Sequence, residues 1–185
     1  MYPESIITKK DQEIVTARVE SEDDYKNSMT KNRGKYVGFM TERKFMGWCQ
    51  KMGFDCRQTN THNDDFLVNN KTVDVKAKLR NVRTNEDHEA SVWESSMSHQ
   101  KPDFYVFGSV LKNKIVQLIG WLEYERFLSL SRIMNKGMDQ GNMSIVEDCR
   151  NVYHWQTNSM DSFMKVKPED QTTDEWLADY NKPEE

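Results

Sequence analysis

The chain has few of the residues that hold small secreted or membrane proteins together. Its three cysteines, Cys49, Cys56 and Cys149, are odd in number and lack CxxC spacing, which favours a reduced compartment over a disulfide framework. With only four scattered histidines, a structural zinc site is not expected. No apolar run approaches the ~20 residues of a membrane-spanning helix, and residues 1–5 lack the pattern of a secretory signal. We therefore expect a cytoplasmic protein without a membrane partner.

Hydrophobic residues make up only 36% of the 185 residues, but aromatic residues at 11% argue against wholesale disorder. The net charge of -4 is unevenly spread. Residues 1–30 carry seven acids and four bases, and residues 169–185 carry seven acids and one base, so residues 31–168 have an excess of bases. We interpret these segments as an acidic N-terminal extension, an acidic C-terminal tail and, between them, one folded domain.

The most informative pattern is residues 65–76, which read as two short strands joined by Asn69-Asn70. Asn tolerates the positive φ that two-residue hairpin turns need. With this turn, the numbers of facing residues sum to 139, so Asp65 lies opposite Asp74. Lys76 shares a face with Asp74, since side chains alternate along a strand. Two facing carboxylates destabilise a sheet, and a divalent cation between them would remove that cost, so the pattern predicts a metal site with a lysine beside it.

These residues resemble the active-site hairpin of the PD-(D/E)XK nuclease superfamily. Asp65 falls at the first acidic position of that family, and Asp74-Val75-Lys76 matches its acid-any-lysine half, while Asp64 stands in place of the usual proline. The resemblance covers about residues 37–128. It implies a restriction-endonuclease-like αβββαβ core, in which a central mixed sheet is flanked by helices. It also implies a phage-type member that hydrolyses DNA with Mg²⁺, or Mn²⁺ as a substitute, in the host cytoplasm.

The resemblance implies a role for each hairpin residue. Asp65, Asp74 and the Val75 carbonyl would ligate the metal, and Lys76 would orient the nucleophilic water or stabilise the developing charge. Magnesium prefers oxygen ligands and keeps several waters, so this set would suffice. A register change of one residue would put Asp64 in place of Asp65. Without a metal, Asp74 and Lys76 would simply pair with each other.

Glu42 lies near the start of a helix predicted over residues 41–52, where apolar residues recur at helical spacing and Gly53 is placed to end the helix. A carboxylate on or near an apolar face is costly without a partner. In the resembled family, a helix before the hairpin often adds an acid to the metal site, which makes Glu42 a candidate ligand. A helix-capping role is the alternative.

Basic residues cluster beside the predicted site and suit phosphate contacts: Lys71, Lys78, Arg80 and Arg83. A solvated basic face is the alternative. Lys78 shares the face of Lys76 and is also a candidate catalytic base. DNA is therefore the expected partner. The alternatives are a non-catalytic nucleic-acid-binding or assembly protein on the same fold, and a Holliday-junction resolvase, which would need a homodimer.

Other elements follow from hydrophobic pattern and turn residues. A helix or strand is expected near residues 13–19, and a loop with a short helix near residues 90–98. Strands are predicted over residues 54–59, 103–107, 115–121, 144–146 and 152–155. Further helices are predicted over residues 123–134 and 174–180.

Overall fold

The computed structural model describes residues 2–21, 31–59, 63–140 and 143–165. The helix predicted over residues 174–180 lies outside these ranges. In chain order the strands and helices are β1 (Glu4–Ile6), α1 (Lys9–Ser21), α2 (Lys31–Lys51), β2 (Cys56–Gln58), β3 (Phe66–Val68), β4 (Lys71–Arg80), β5 (Glu89–Trp93), α3 (Glu94–Met97), β6 (Phe104–Leu111), β7 (Ile115–Glu123), α4 (Tyr124–Leu130), β8 (Arg132–Met134), β9 (Asp139–Gln140), β10 (Met143–Ser144) and β11 (Cys149–Tyr153).

Six strands form the main sheet in the order β1-β7-β6-β4-β3-β2. β4 and β6 are parallel, and the other neighbouring pairs of this sheet are antiparallel. A parallel pair needs a long crossover connection, and residues 81–103 supply it with β5 and α3. Strands β5, β11 and β8 form a second sheet, and β9 pairs with β10. The protein is therefore of mixed α/β class, as the sequence predicted.

Apolar side chains cover both faces of the main sheet. On one face, Phe45 of α2 packs in a cluster with Val73 and Val75 of β4. On the other face, Tyr105 of β6 packs against Phe127 of α4, with ring centroids 5.0 Å apart. Because side chains alternate along β4, its odd-numbered residues enter the first cluster and its even-numbered residues project from the opposite face.

Helix α2 is longer than predicted, since it begins at Lys31 rather than near residue 41. Val37 and Met40 are buried and extend the apolar face upstream, although Gly34 and Gly38 weaken the helical signal there. The predicted end of the helix at Gly53 is confirmed. Gly53 has φ of 79°, and the pattern of amide bonds back to the last turn is that of a Schellman motif.

The N-terminal segment contributes to the fold more than an extension would. β1 pairs with β7 at the edge of the main sheet. α1 packs on α2, where Asp11 is paired with Arg43 and Lys44 at 2.7 Å and 2.5 Å. Residues 4–21 are thus built into the domain, and residues 22–30 lie outside the described ranges.

The prediction was wrong in two places where strands replace helix. β5 occupies residues 89–93 and leaves only four residues for α3, and the helix predicted over residues 123–134 ends at Leu130, where β8 follows. Both strands pair with β11. This pairing overrides the local helical pattern. None of the helices in the described ranges is long and apolar enough to cross a membrane.

Candidate active site

The hairpin has the register that the sequence predicts. Phe66 pairs with Val73 and Val68 pairs with Lys71, so the numbers of facing residues sum to 139. The two turn asparagines have φ of 47° and 66°, as a type I′ turn requires. The backbone ladder ends at Phe66, which places Asp65 just beyond it at the open edge of β4.

Asp65 is fixed to this edge by main-chain contacts. Its Oδ2 accepts a hydrogen bond from the Val75 amide at 2.7 Å, and its own amide donates to the Val73 carbonyl at 3.0 Å. In an extended strand, the N–H and C=O of one residue face the same neighbour. The Val75 carbonyl therefore faces the same edge of β4 as Asp65. Asp64 instead offers its carbonyl to the Thr59 hydroxyl at 2.6 Å.

Asp74 and Lys76 project together from the face of the sheet opposite the cluster that contains Val73 and Val75. Lys76 Nζ lies 2.7 Å from Asp74 Oδ2 and donates to Gln100 Oε1 at 3.3 Å. The approach to Asp74 is too oblique for a hydrogen bond, so Asp74 Oδ2 is buried without a hydrogen-bond partner among the described residues. The hydroxyl of Tyr105, which pairs with Asp74 across β4 and β6, is buried and unsatisfied in the same way. Unsatisfied buried polar atoms are rare, and an ion or water is a common cause.

Glu42 belongs to the same electrostatic site. Burial raises the pKa of Asp65 well above its usual range, and the charges of Asp74 and Glu42 raise it further, against the lowering effects of the Val75 amide and Lys76. The Glu42 carboxylate is itself buried, and its Oε2 accepts a hydrogen bond from Arg18 of α1 at 2.8 Å. The alternative role for Glu42, as a cap in the first helical turn, is wrong because α2 begins at Lys31.

The donor set decides which metal would fit. Within the described ranges, no group of three or more His, Cys, Asp or Glu side chains is arranged to hold a metal ion. The hairpin offers two carboxylates, Asp65 and Asp74, and the main-chain carbonyl of Val75. A structural zinc site needs four nitrogen or sulfur ligands, whereas Mg²⁺ is commonly held by one or two carboxylates and keeps its remaining waters. By chemical type, these oxygen donors are those that Mg²⁺ takes rather than those of a structural zinc site.

Two of the four predicted phosphate contacts are surface ion pairs far apart on the molecule. Lys71, at the start of β4, pairs with Asp103 at 3.2 Å. Arg83, beyond the end of the strand, pairs with Glu4. The strand between them is about 30 Å long, so these two residues do not belong to one compact surface.

Lys78 and Arg80 lie elsewhere and are partly buried. Both line a pocket between the main sheet and β5, and Lys76 lines it too. Of the four basic residues, two thus form ion pairs with acids at the surface and two line one pocket.

Three contacts of the site were not foreseen from the sequence. Gln100 lies in a segment without periodicity, so nothing pointed to its bond with Lys76. Tyr105 looked like an ordinary core residue. Arg18 was assigned to the extension, although the cost of burying Glu42 was a signal that a basic partner was needed.

Comparisons of the chain with protein-family models, with curated proteins and with solved structures found no match.

Proposed function

We propose that this protein is a Mg²⁺-dependent nuclease that hydrolyses DNA phosphodiester bonds. The observation that carries the proposal is the half-buried Asp65 beside the buried Asp74 of β4, with the Lys76 ammonium 2.7 Å from Asp74. Buried carboxylates in proximity are unfavourable without a cation, and this arrangement is the one that the PD-(D/E)XK resemblance implies.

The order of elements supports the same assignment. Helix α2 is followed by β2, β3 and β4, then by β5 of the second sheet, the short α3 and β6. With β5 as an additional strand, this order is compatible with the αβββαβ order of the resembled core, and β6 lies parallel to β4. We include this restriction-endonuclease-like core in the proposal.

The side chains have separate roles in this mechanism. A bound Mg²⁺ would acidify a water and neutralise phosphoryl oxygens. Asp65, Asp74 and the Val75 carbonyl would hold it. The Lys76 ammonium has three N–H donors. One donates to Gln100 and the ammonium lies 2.7 Å from Asp74, so at least one donor would remain for the nucleophilic water or a phosphate oxygen. Gln100 would act as a positioning residue, because its side-chain oxygen accepts a hydrogen bond from the Lys76 ammonium.

A cleavage assay with several DNA substrates and metals tests the proposal. Linear, circular, single-stranded and branched DNA are incubated with Mg²⁺, Mn²⁺ or EDTA. We expect cleavage with either metal, none with EDTA, and a loss of about 100-fold or more in Asp74→Asn, whose circular dichroism should match that of the wild type.

The outcomes separate the alternatives. No cleavage of any substrate with either metal would overturn the proposal, and DNA binding in that case would identify a non-catalytic binding protein. Full activity of Asp74→Asn would place the active site elsewhere. Cleavage restricted to branched DNA by a dimeric protein would identify a junction resolvase.

A further inference from the structure

A pocket lies between the two sheets and adjoins the candidate active site. Its walls are β4, residues 89–91 of β5, Gly108 of β6, and His154. It contains about 190 Å³ of space, part of which opens to solvent. Lys76 lines this pocket and also contacts Asp74, so the two sites share one side chain.

Three basic residues enter the pocket from one face of β4. Lys76, Lys78 and Arg80 alternate with core residues, so neighbouring members of the row are about 6.6 Å apart along the strand. Lys76 is paired with Asp74. Among the described residues, none forms a hydrogen bond or ion pair with the Lys78 ammonium. Arg80 donates to the Glu89 carbonyl at 2.8 Å, but its Nε is buried and has no hydrogen-bond partner in the part of the chain that the structure describes.

The charge of the pocket is not balanced by its own walls. Glu89 is the one acid among the described lining residues. Its carboxylate is shared, because it pairs with Arg132 and accepts a hydrogen bond from the Asn151 amide at 3.0 Å. The pocket therefore contains two partly buried cations, Lys78 and Arg80, and one carboxylate that already has other partners.

The titration of the lining residues reflects this excess of positive charge. Burial lowers the pKa of Lys78 to about 8, and the charge of Arg80 lowers it further. Burial and Arg80 also lower the pKa of His154 to about 3, so the imidazole is neutral near pH 7. An uncompensated buried charge is costly, and a bound anion would remove that cost.

We propose that this pocket binds a terminal phosphate group of the nucleic acid, with Lys78 and Arg80 as the contacting residues. The inference rests on the proposed function for the nature of the substrate. Guanidinium and ammonium groups together suit a tetrahedral oxyanion. An internal phosphodiester carries a nucleoside on both sides, whereas a pocket that is walled by β4, β5 and β6 and opens only in part to solvent suits a phosphate with one substituent.

The first experiment measures anion binding by the metal-free protein in EDTA, so that it does not depend on catalysis. Inorganic phosphate is compared with chloride at equal ionic strength by thermal melting and calorimetry. Phosphate should raise the Tm of the wild type, but not that of Lys78→Met. Lys114→Met is the matched control, since it removes the same charge from an exposed lysine, and it should respond as the wild type does.

The same melting curves report whether Lys78→Met folds. Without phosphate, its Tm should equal or exceed that of the wild type, because a buried charge has been removed. If Lys78→Met fails to fold, Lys78→Gln replaces it, and the phosphate response of the wild type remains a test that needs no variant. A wild-type Tm that phosphate leaves unchanged relative to chloride would overturn the proposal, and so would an unchanged response in a folded Lys78 variant.

The second experiment distinguishes a strand end from free phosphate. Oligonucleotides with a 5′-phosphate, a 3′-phosphate or no terminal phosphate are titrated in EDTA. The wild type should bind one phosphorylated end about 10-fold more tightly than the unphosphorylated strand, and Lys78→Met should lose that preference. Equal binding of all three strands, whether or not the variant weakens it, would overturn the assignment to a strand end.

Discussion

Asp65 and its neighbour Asp64 have the same chemistry but different surroundings. Only Asp65 reaches the Val75 amide with its carboxylate, and its pKa responds to the charges of Asp74 and Glu42. The register of the hairpin produces this difference. Phe66 is the first residue of β3 that pairs with β4, and Asp65 immediately precedes it. The two residues therefore provide a matched pair for testing the site.

Asp65→Asn should lower the rate of Mg²⁺-dependent cleavage by about 100-fold or more. Asp64→Asn should retain most of the activity. In EDTA, Asp65→Asn should melt at a higher temperature than the wild type, because one of several buried like charges is gone and the amide oxygen can still accept from Val75. Rates and melting curves of both variants check this. Equal losses of activity in the two variants would contradict the assignment of Asp65.

Lys76 contributes to catalysis in a way that can be separated from metal binding. An ammonium does not ligate a cation, so Lys76→Met should lower the turnover far more than the affinity for Mn²⁺. Gln100→Ala should give a smaller loss of turnover, since it removes only the contact that positions the lysine. Calorimetric titration with Mn²⁺ beside a rate measurement separates the two effects. A parallel loss of both quantities would indicate a structural lysine.

At the scale of elements, α1 is held to α2 by a buried acid. Asp11 pairs with Arg43 and Lys44, and it also accepts a hydrogen bond at 2.8 Å from the amide of Thr8, the residue before α1. Burial alone would favour the protonated form, but the hydrogen bonds from Lys44, Thr8 and Arg43 outweigh it and lower the pKa of Asp11. The contact thus stabilises the packing of α1 on the helix that carries Glu42.

Asp11→Asn should lower the free energy of unfolding by about 3 kcal/mol, since it leaves buried bases without their acid. A depressed pKa means that this stabilisation is complete above the unfolded pKa of 3.8 and is lost as the pH falls below it. The difference between wild type and variant should therefore shrink in acid. Urea unfolding at several pH values measures it. Glu13→Gln in the same helix is the control, because Glu13 is exposed; a loss as large in the control would contradict the special role of Asp11.

The elements also show which parts of the fold a sequence can predict. The hairpin was predicted in register because its turn, its alternation and its two acids lie within twelve residues. β5 and β8 were missed because their partner, β11, is distant in the chain, so the pairing left no local signal. The pocket around Lys78 and Arg80 is likewise completed by distant parts of the chain, β5 and His154. The spacing of the two basic residues could not predict it, because the same spacing is equally typical of a basic surface.

For the whole molecule, each end of the sequence carries more acids than bases, and the middle carries more bases than acids. Two of the N-terminal acids have their charge paired within the fold, because Asp11 and Glu4 form ion pairs with bases of the domain. Residues 166–185 lie outside the described ranges, so the effect of the C-terminal acids has to be argued from charge alone. Such charges act over about a Debye length, which is ~10 Å at 0.1 M salt.

Deleting residues 169–185 removes seven acids and one base, a change of +6 in net charge. We expect the truncated protein to bind DNA more tightly, most clearly at low salt, because a nearby acidic segment weakens phosphate contacts. Trp176, Leu177 and Tyr180 recur at helical spacing, however, and would allow the segment to dock instead. DNA affinity at about 50 and about 300 mM salt, measured with the Tm, separates the two effects.

A full-length control sharpens this test. Replacing the seven acids of residues 169–185 by their amides removes the charge and keeps the apolar residues. If repulsion operates, this variant should gain DNA affinity at low salt as the truncation does, without a change in Tm, because only the charge has been altered. A truncation with unchanged affinity at low salt and unchanged Tm would refute the repulsion. A lowered Tm in the truncation alone would show that the segment docks through its apolar residues, whose removal exposes the surface that they cover.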